Sequence, residues 1–318
     1  MPNYQGVWNI STQYQNRDGW PSPPEYALFF GGYTGSRIAT IDQVVITTTG
    51  NATDFGDMTE GALRGSACSS VTRAVKALGN ATSGGNSNKI EYVEFATSGN
   101  TSDFGDLTTG RSNNTSFSSS TRGCWAGGNQ TNIIDYVTIA STGNATDFGD
   151  LVGTFNDMPA ALSSPTRGVV AGGQSNTPGL GDYASVIQYV TIASTGNASD
   201  FGDLTIGRHS TTGAASATRG TVGGGNPGGY SNVIDYITIA STGNATDFGD
   251  LTVAKRELSG AAGTSRAIFA AGSTSSNTYF NGIDFITIAS TGNASDFGDV
   301  TANKYGMGQG SSTAHGGL

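Results

Sequence analysis

The sequence predicts an all-β protein built from six copies of a four-stranded unit. The chain has 318 residues, of which 49 are Gly and only 12% are charged. This Gly content is roughly twice the ordinary share. The tetrapeptide Asp-Phe-Gly-Asp occurs six times, at intervals of 44 to 53 residues. Short blocks rich in Val, Ile and Tyr lie between the copies, and no window has the period of an amphipathic helix, so strands joined by turns are indicated.

The charge balance and the hydropathy exclude several classes of protein. The chain carries 15 Lys and Arg against 24 Asp and Glu, a net charge of −9, whereas nucleic-acid-binding domains are typically basic. No run of about 18 apolar residues is present, so we expect no membrane insertion. The first residues contain neither a basic nor an apolar segment, so no secretory signal is predicted. Two cysteines, Cys68 and Cys124, are too few for a disulfide framework and are expected to be free, buried thiols.

Each copy of the repeat divides into four short strands, A to D. Strand A is the small-residue stretch after Asp-Phe-Gly-Asp, for example residues 258–263, and strand B is a block that starts with Arg and usually ends with Gly-Gly. Strand C resembles Ile-Asp-Tyr-Val-Thr-Ile, and strand D contains Asp-Phe-Gly-Asp. Strand C has apolar residues at both odd and even positions, such as the neighbours Tyr136 and Val137, whose side chains point to opposite faces of the sheet. This pattern indicates a strand that is covered on both faces. Packing each unit between two neighbours provides that cover.

The two ends of the repeat region complement each other. Residues 26–34 read as a strand B with no strand A before it, and residues 305–314 read as a strand A with no unit after it. Pairing them would complete the first unit and remove an open sheet edge. A period near 50 residues with four strands per unit is that of a β-propeller. We therefore predict a six-bladed β-propeller over residues 26–318, closed by the C-terminal strand, with an extended N-terminal arm over residues 1–25.

The order of these features resembles the kelch repeat. An Arg and a Gly-Gly pair precede a Tyr-containing strand, and an aromatic residue follows near strand D, although Phe stands where kelch repeats usually have Trp. The segment IDYVTIASTGNATDFGDL at residues 134–151, with copies followed by a basic residue, is similar to repeats in structural proteins of marine phages, notably phages of cyanobacteria. The resemblance covers residues 26–318. It implies a kelch-type propeller that belongs to a virion, at an undefined position. Folding in the host cytoplasm is expected because no secretory signal is predicted.

Structural roles are predicted for the repeated Phe and Arg residues. The Phe of each Asp-Phe-Gly-Asp is expected to pack between blades while the flanking Asp side chains cap turn amides. The Arg that starts strand B is expected to form partly buried pairs with those acids, which fix register more than they add stability. The Phe residues are Phe55, Phe104, Phe148, Phe201, Phe248 and Phe297, and the Arg residues are Arg73, Arg122, Arg167, Arg219 and Arg266.

The repeated turns raise two further questions, glycosylation and metal binding. Asn-x-Ser/Thr sequons occupy one repeated turn of each unit, and without a secretory signal a structural role for the Asn is preferred. These Asn residues are Asn51, Asn100, Asn144, Asn197, Asn244 and Asn293. Calcium binding by the Asp residues is left open, because their spacing matches no recognised calcium loop. No cofactor and no metal is predicted.

The sequence supplies little for catalysis. Its two histidines, His209 and His315, lie in no repeated or acid-flanked context, and neither Cys has a His nearby in the sequence. Propeller glycosidases use carboxylates at the ring mouth, and no pair is singled out among the non-repeated acids. No catalytic residue is assigned, and the protein is predicted not to be an enzyme. The non-repeated acids are Glu60, Glu94, Asp157, Asp182 and Glu257.

The connections between strands B and C vary, whereas the turns between C and D are nearly constant. In an antiparallel unit the B–C and D–A connections emerge on one face. The variable connections, residues 80–89, 174–186, 226–233 and 273–282, carry aromatic residues among Gly, Ser and Asn, a composition typical of recognition surfaces. The alternative is that these loops vary because little constrains them. The predicted binding residues, facing solvent for a protein or a host-surface glycan, are Tyr183, Tyr230, Tyr279 and Phe280.

Residues 1–25 form a separate aromatic and Pro-rich arm. Because a free arm would expose much apolar surface, we expect it to dock on its own propeller, on another copy in a homo-oligomer, or on another virion structural protein. Its anchoring residues are Tyr4, Trp8, Tyr14 and Trp20. The leading function is a non-enzymatic virion protein, as a fibre, appendage or capsid decoration. The alternatives are a kelch-like intracellular adaptor and a carbohydrate-active propeller enzyme.

Overall fold

A computed structural model describes residues 24–275 and 278–314. Those residues form 28 strands and no helix, so none of their segments is a helix that could cross a membrane. Every strand pairing is antiparallel. The prediction of an all-β chain is confirmed.

The strands follow the predicted order of short units. In chain order they are β1 (Tyr26–Phe30), β2 (Thr40–Val45), β3 (Thr53–Asp57), β4 (Ala62–Leu63), β5 (Ala67–Ser69), β6 (Arg73–Ala77), β7 (Asn80–Ala81), β8 (Gly85–Asn86), β9 (Lys89–Glu94), β10 (Ser102–Asp106), β11 (Thr115–Ser118), β12 (Arg122–Ala126), β13 (Thr131–Thr138), β14 (Thr146–Asp157), β15 (Ala160–Ser163), β16 (Arg167–Ala171), β17 (Gln174–Ser175), β18 (Val186–Thr191), β19 (Ser199–Asp203), β20 (Thr212–Ala215), β21 (Arg219–Gly223), β22 (Ser231–Thr238), β23 (Thr246–Lys255), β24 (Ser259–Ala262), β25 (Arg266–Ser275), β26 (Thr278–Thr287), β27 (Ser295–Lys304) and β28 (Ser311–Ser312).

These strands make six larger sheets, numbered 1 to 6 along the chain, and one small sheet. Sheet 1 joins β28, β1, β2 and β3; sheet 2 joins β5, β6, β9 and β10; sheet 3 joins β11, β12, β13 and β14, with β17 added at its far end; sheet 4 joins β15, β16, β18 and β19; sheet 5 joins β20 to β23; sheet 6 joins β24 to β27. The small sheet joins β4, β7 and β8. In every larger sheet the first four strands named correspond to strands A, B, C and D.

The two ends of the described chain meet in sheet 1. Strand β28 pairs with β1, with Ala27 opposite Ser312. Serine hydroxyls tie β28 to the first strands of two other sheets: Ser312 Oγ donates to the carbonyl of Ala262 in sheet 6 at 2.5 Å, and Ser69 Oγ of sheet 2 donates to the carbonyl of Ser312 at 2.8 Å. The predicted pairing of the orphan strands is confirmed.

The apolar core is divided into clusters that lie between sheets. Among the described residues, six such clusters join sheet 1 to 2, 2 to 3, 3 to 4, 4 to 5, 5 to 6 and 6 to 1. The third strand of each sheet contributes to two of them. In β13, Ile134 packs toward sheet 4 and Val137 packs toward sheet 2. The expectation that this strand is covered on both faces is confirmed.

The Phe of each Asp-Phe-Gly-Asp is the extra residue of a β-bulge. In sheet 3, Asp135 lies opposite Asp147 and Ile134 lies opposite Gly149, which leaves Phe148 without a partner. The same offset occurs in all six larger sheets. A bulge re-aims a side chain, and here Phe148 is buried in the cluster between sheets 3 and 4. The predicted packing of this Phe between neighbouring sheets is confirmed.

The Gly after that Phe allows the next sheet to approach. Gly149 has a φ of +142°, and a Cβ there would lie 2.5 Å from the carbonyl oxygen of Gly196 in sheet 4. Beside this contact, the backbone N–H of Asp150 donates to Asn197 Oδ1 at 3.0 Å. Every larger sheet uses the same bond to the next sheet, and sheet 6 uses it to sheet 1. The other acceptors are Asn51, Asn100, Asn144, Asn244 and Asn293.

The repeated Arg residues do not pair with the acids of the motif, so that prediction is wrong. Arg167 lies with Cζ 4.3 Å above the ring of Tyr189, and its Nη1 donates to the carbonyl of Ile239 in sheet 5 at 2.7 Å. The first Asp of each motif is exposed. Because the guanidinium is held against an aromatic ring, it donates to a backbone carbonyl of the next sheet. The Asp side chains of the motif are left to be hydrated by solvent. The same contacts are made by Arg73, Arg122, Arg219 and Arg266.

One acid of the motif caps a backbone amide in sheet 1, within strand β3 and not in a turn. Asp54 Oδ1 accepts a hydrogen bond from the backbone N–H of Gly56 at 3.1 Å. Both cysteines are free and buried, in neighbouring sheets. Burial raises the pKa of Cys68 and of Cys124 well above the ordinary thiol value, so both remain protonated and unreactive.

Fully buried ion pairs between sheets use two other repeat positions. One member is the basic residue five positions after the second Asp of the motif, and the other is the Asp that follows Ile in strand C of the next sheet. Arg208 and Asp235 lie 3.1 Å apart with no exposed side-chain surface. The other such pairs are Arg111–Asp135, Lys255–Asp284 and Lys304–Asp42.

Two interfaces lack such a pair. Between sheets 1 and 2, Ala62 stands at the position of the basic residue and Glu91 at that of the Asp. Between sheets 3 and 4, these positions are occupied by Phe155 and Gln188. Gln188 faces the Phe155 interface, while Glu91 accepts hydrogen bonds from the backbone N–H of Thr59 and from Thr101 Oγ1. A basic residue therefore occupies this position only where the next sheet supplies an Asp.

Lys76 is a buried amine in sheet 2. Its Nζ donates to the carbonyls of Gly65 at 2.7 Å and Met307 at 2.9 Å. Burial, only partly opposed by the charge of Glu91, lowers the pKa of Lys76 to about 7. A neutral amine retains two N–H groups and satisfies both carbonyls.

We expect the free energy of unfolding to rise with pH between about 7 and 10 through Lys76. The folded chain releases this proton near pH 7 and the unfolded chain near 10.5, so the unfolded state binds more protons between these values. Linkage then stabilises the folded state by about 1.4 kcal/mol per pH unit for one proton. Urea unfolding at pH 7, 8 and 9 should show the difference between wild type and Lys76→Met growing with pH. A difference that stays constant would contradict a lowered pKa.

Candidate functional site at the loop face

The variable connections and the connections before strand A lie on one face. We call it the loop face; it comprises residues 172–185, 204–211 and their equivalents. Backbone hydrogen bonds join its two kinds of connection. His209, before β20, exchanges two hydrogen bonds with Asn226, after β21, at 3.2 and 2.7 Å. Residues 192–198 and their equivalents lie at the opposite strand ends, on what we call the turn face.

A chain of backbone hydrogen bonds links the residues that precede strand A in successive sheets. The N–H of Asn113 donates to Arg64, that of Arg64 to Gly306, that of Gly306 to Glu257, and that of Glu257 to Ser210, at 2.5 to 3.0 Å. All five residues have φ between +54° and +70°. This conformation is strained for a residue with a Cβ, and such strain clusters at functional sites.

The chain of bonds ends, within the described residues, at the entry to sheet 4. There the link is made by side chains: Ser210 Oγ donates to Asp157 Oδ2 at 2.9 Å. The same carboxylate oxygen lies 2.9 Å from His209 Nδ1. Burial opposes the charge of Asp157, but the hydrogen bond and charge of His209, together with Arg64, lower its pKa.

Arg64 forms a two-pronged ion pair across the same region. Its Nε and Nη2 donate to the two carboxylate oxygens of Glu257 at 3.0 and 3.1 Å. Gly306 lies between the two residues in the hydrogen-bonded chain, where a Cβ would be 3.5 Å from both Arg64 Cγ and Glu257 Oε2. Burial opposes the charge of Arg64, but Glu257 and more distantly Asp157 raise its pKa. Arg64 therefore stays charged.

Aromatic side chains border this polar group. Tyr183 stacks nearly parallel on His209, with ring centroids 5.7 Å apart and an interplanar angle of 16°. On the other side Tyr305 contacts Tyr279 at 4.8 Å and Tyr33 at 5.5 Å. Burial and the charge of Glu257 raise the pKa of Tyr305, so its phenol stays protonated at neutral pH.

The four predicted binding residues lie on the loop face, and three of them are only partly exposed. Tyr183 is 46% exposed. Tyr230 is half-buried under the guanidinium of Arg256, Phe280 is half-buried under Lys255 Nζ, and Tyr279 lies in the tyrosine group. These three are therefore less exposed than Tyr183, because a neighbouring side chain covers part of each aromatic ring.

The other predicted residues divide between the site and the remaining surface. Of the non-repeated acids, Asp157 and Glu257 belong to the loop-face site. Glu60 pairs with Lys89 and Glu94 with Arg73, and Asp182 is exposed beside Tyr183. The arm residues Tyr4, Trp8, Tyr14 and Trp20 lie outside the described residues, as does His315.

Sequence reasoning missed five residues of this site. Each stands where the connection before strand A, or a loop beside it, departs from the repeat. Aligning the units position by position would have shown that these connections carry a different polar or aromatic residue in each unit. The missed residues are Tyr33, Arg64, His209, Ser210 and Tyr305, of which only His209 had been considered, as a catalytic residue.

The fold and the site define an all-β repeat protein of antiparallel four-stranded sheets with one polar and aromatic group on its loop face. No protein-family model matches the chain, and no curated protein matches it. Within residues 24–275 and 278–314, no group of three or more His, Cys, Asp or Glu is placed to hold a metal ion.

Proposed function

We propose that the chain is a closed six-bladed β-propeller of the kelch type that acts as a non-enzymatic binding protein on a phage virion. The ring is supported by the pairing of β28 with β1 and by apolar clusters that include one between sheets 6 and 1. The same cyclic order recurs in the Asn hydrogen bonds on the turn face, since Asp299 N–H donates to Asn51 Oδ1. The virion assignment rests on the similarity of the repeat to phage structural proteins.

One observation carries the binding role. Residues that recur from unit to unit build the scaffold, because they form the β-bulges, the buried ion pairs and the turn face. Residues that differ between units converge on one region of the loop face, where Arg64, Asp157, His209 and Glu257 contact or influence one another. Departure from an otherwise close repeat at one place supports a specific contact there, because binding residues concentrate on loops held by a rigid scaffold.

The chemistry of the site favours binding over hydrolysis. Both oxygens of Glu257 are engaged by Arg64, and the pKa of Asp157 is lowered, whereas a general acid needs a pKa near the working pH. The His209 Nδ1 and Ser210 Oγ approach the same oxygen of Asp157. In a catalytic triad the carboxylate and the hydroxyl bind opposite ring nitrogens, so this arrangement orients the imidazole without relaying a proton.

The arm is proposed to attach the protein to another virion structural protein or to a further copy of the chain. The described chain begins beside the turn face: Glu25 accepts hydrogen bonds from Thr264 N–H at 3.1 Å and Thr264 Oγ1 at 2.6 Å, in the A–B turn of sheet 6. Attachment from this side leaves the loop face free to meet a protein or a glycan of the host surface.

Particles carrying variant chains test these roles. A chain without residues 1–23 is expected to fold but to be absent from purified particles. Arg64→Ala combined with Glu257→Ala, which leaves no unpaired charge, should enter particles normally and reduce adsorption to host cells at least tenfold. Ser141→Ala, on the exposed turn face, is the matched control and should change neither quantity.

Three outcomes would contradict the proposal. Normal incorporation of the arm-less chain overturns the anchoring role. Normal adsorption of the double variant overturns binding at the loop face. Absence of the wild-type chain from purified particles overturns the virion assignment and favours an intracellular adaptor.

A further inference from the structure

We infer that Tyr183 is the stacking platform of a binding site for uncharged sugar rings. This inference rests on the proposed binding function and names the ligand class of the loop face. Four properties of the platform carry it: exposure, rigidity, free space beside the ring, and the sign of the nearby charge.

Tyr183 presents an aromatic face to solvent. Among the large hydrophobic side chains of the described residues it is the exposed aromatic one, at 46%. The imidazole of His209 lies parallel to one face of its ring, which leaves the opposite face available. The hydroxyl-poor face of a pyranose ring stacks on such a surface, because Tyr combines an apolar ring with a polar edge.

The platform is held rigidly from below. His209 cannot turn freely, since Asp157 Oδ2 and Ser210 Oγ each lie 2.9 Å from its Nδ1. The backbone around Tyr183 is also fixed: Ala184 N–H donates to the carbonyl of Gly173 at 3.0 Å. A ring that is ordered before binding loses little conformational entropy when the ligand arrives.

A segment without side chains lies beside the ring. A Cβ at Gly228 would meet only the hydroxyl end of Tyr183, at 3.8 Å, and a Cβ at Gly229 would have nothing within 4 Å. Asn226 Oδ1 holds this segment by accepting a hydrogen bond from the N–H of Gly228 at 2.8 Å. The open space at the hydroxyl edge of Tyr183 admits a ligand ring that extends past the platform.

The charge near the platform selects against anionic sugars. Asp182 is exposed immediately before Tyr183, and Asp157 lies behind His209. His209 is paired with Asp157 at 2.9 Å, and Arg64, whose positive charge also acts on Asp157, is paired with Glu257. Carboxylates accept hydrogen bonds from sugar hydroxyls but repel sialic or uronic acids, and the whole chain carries −9.

The test uses the purified full chain and immobilised oligosaccharides that end in glucose, galactose or mannose. Matched oligosaccharides bearing sialic acid or uronic acid, and immobilised choline, serve as charged probes. Wild type and Tyr183→Phe should bind at least one neutral probe, Tyr183→Ala should bind it about tenfold more weakly, and the anionic probes should bind less. Val152→Ala, an exposed residue on β14, is the control and should bind as wild type does.

Equal binding by Tyr183→Ala and wild type, with equal melting temperatures, would overturn the inference. A preference for anionic probes or for choline would overturn the ligand class. If no sugar binds while the Arg64 and Glu257 double variant still loses adsorption to cells, the sugar inference fails and the proposed function stands. If neither sugar binding nor that loss is observed, both fail.

Discussion

Asp235→Ala is expected to lower the free energy of unfolding by about 3–5 kcal/mol. The substitution leaves Arg208 charged and fully buried, because the two side chains have no exposed surface and lie 3.1 Å apart. Burial already lowers the pKa of Arg208 despite Asp235, and removing one partner of a buried pair leaves an uncompensated charge. The substitution also removes the acceptor of two hydrogen bonds, which the backbone N–H and the hydroxyl of Thr205 donate to Asp235.

Urea unfolding monitored by circular dichroism measures this loss. Asp200, exposed on β19 in sheet 4, supplies the matched control: Asp200→Ala should cost less than about 0.5 kcal/mol. Replacing both Arg208 and Asp235 by Leu should recover part of the stability, since no buried charge then remains. A cost for Asp235→Ala below 1 kcal/mol would show that the pair adds nothing to the interface between sheets 4 and 5.

Deleting residues 305–318 is expected to cost more than about 5 kcal/mol, a large part of the stability of an ordinary domain. The deletion removes β28, exposes the edge of β1 and opens the cluster that contains the fully buried Met307. It also removes Gln309, whose Nε2 donates to Gly213 in sheet 5 at 2.8 Å and to Gly260 in sheet 6 at 2.9 Å. Lys304 is retained, so Asp42 keeps its partner.

The melting temperature and the tendency to aggregate are the measurements. An exposed strand edge pairs with other chains, so the truncated protein should aggregate at concentrations where wild type is clear. A chain that ends at Ala314, which retains β28, is the control and should melt close to wild type. An unchanged melting curve after deletion of residues 305–318 would rule out closure of the fold by its C-terminal strand.

The strands and their order were predictable because they repeat. Six copies of one pattern average out the ambiguity of any single short strand, and the orphan segments at residues 26–34 and 305–314 identified each other by elimination. The pairing of these two segments was predicted from the sequence, and the structure supplied its register, with Ala27 opposite Ser312. The apolar residues on both faces of strand C likewise predicted that another sheet packs against each face.

The partners of charged residues were not predictable in the same way. The Arg of strand B and the acids of Asp-Phe-Gly-Asp recur together, yet Arg167 binds Tyr189 and a backbone carbonyl. The acids in buried pairs are instead those that follow Ile in strand C, and each pairs with the basic residue five positions after the motif of the preceding sheet. Recurrence shows that a residue has a constant environment, but the bulge at each motif Phe and the offset between sheets decide which charged groups form ion pairs.

The sequence by itself determined the all-β class, the repeat, the division into sheets, the meeting of the two chain ends and the contrast between a constant face and a variable one. These follow from periodicity and local chain geometry, which each unit carries within itself. Only the tertiary structure decided that Arg64, Asp157, His209 and Glu257 form one group and that Tyr183 is the most exposed of the four predicted aromatic residues. These residues come from different units, and contacts between distant segments depend on how successive sheets pack.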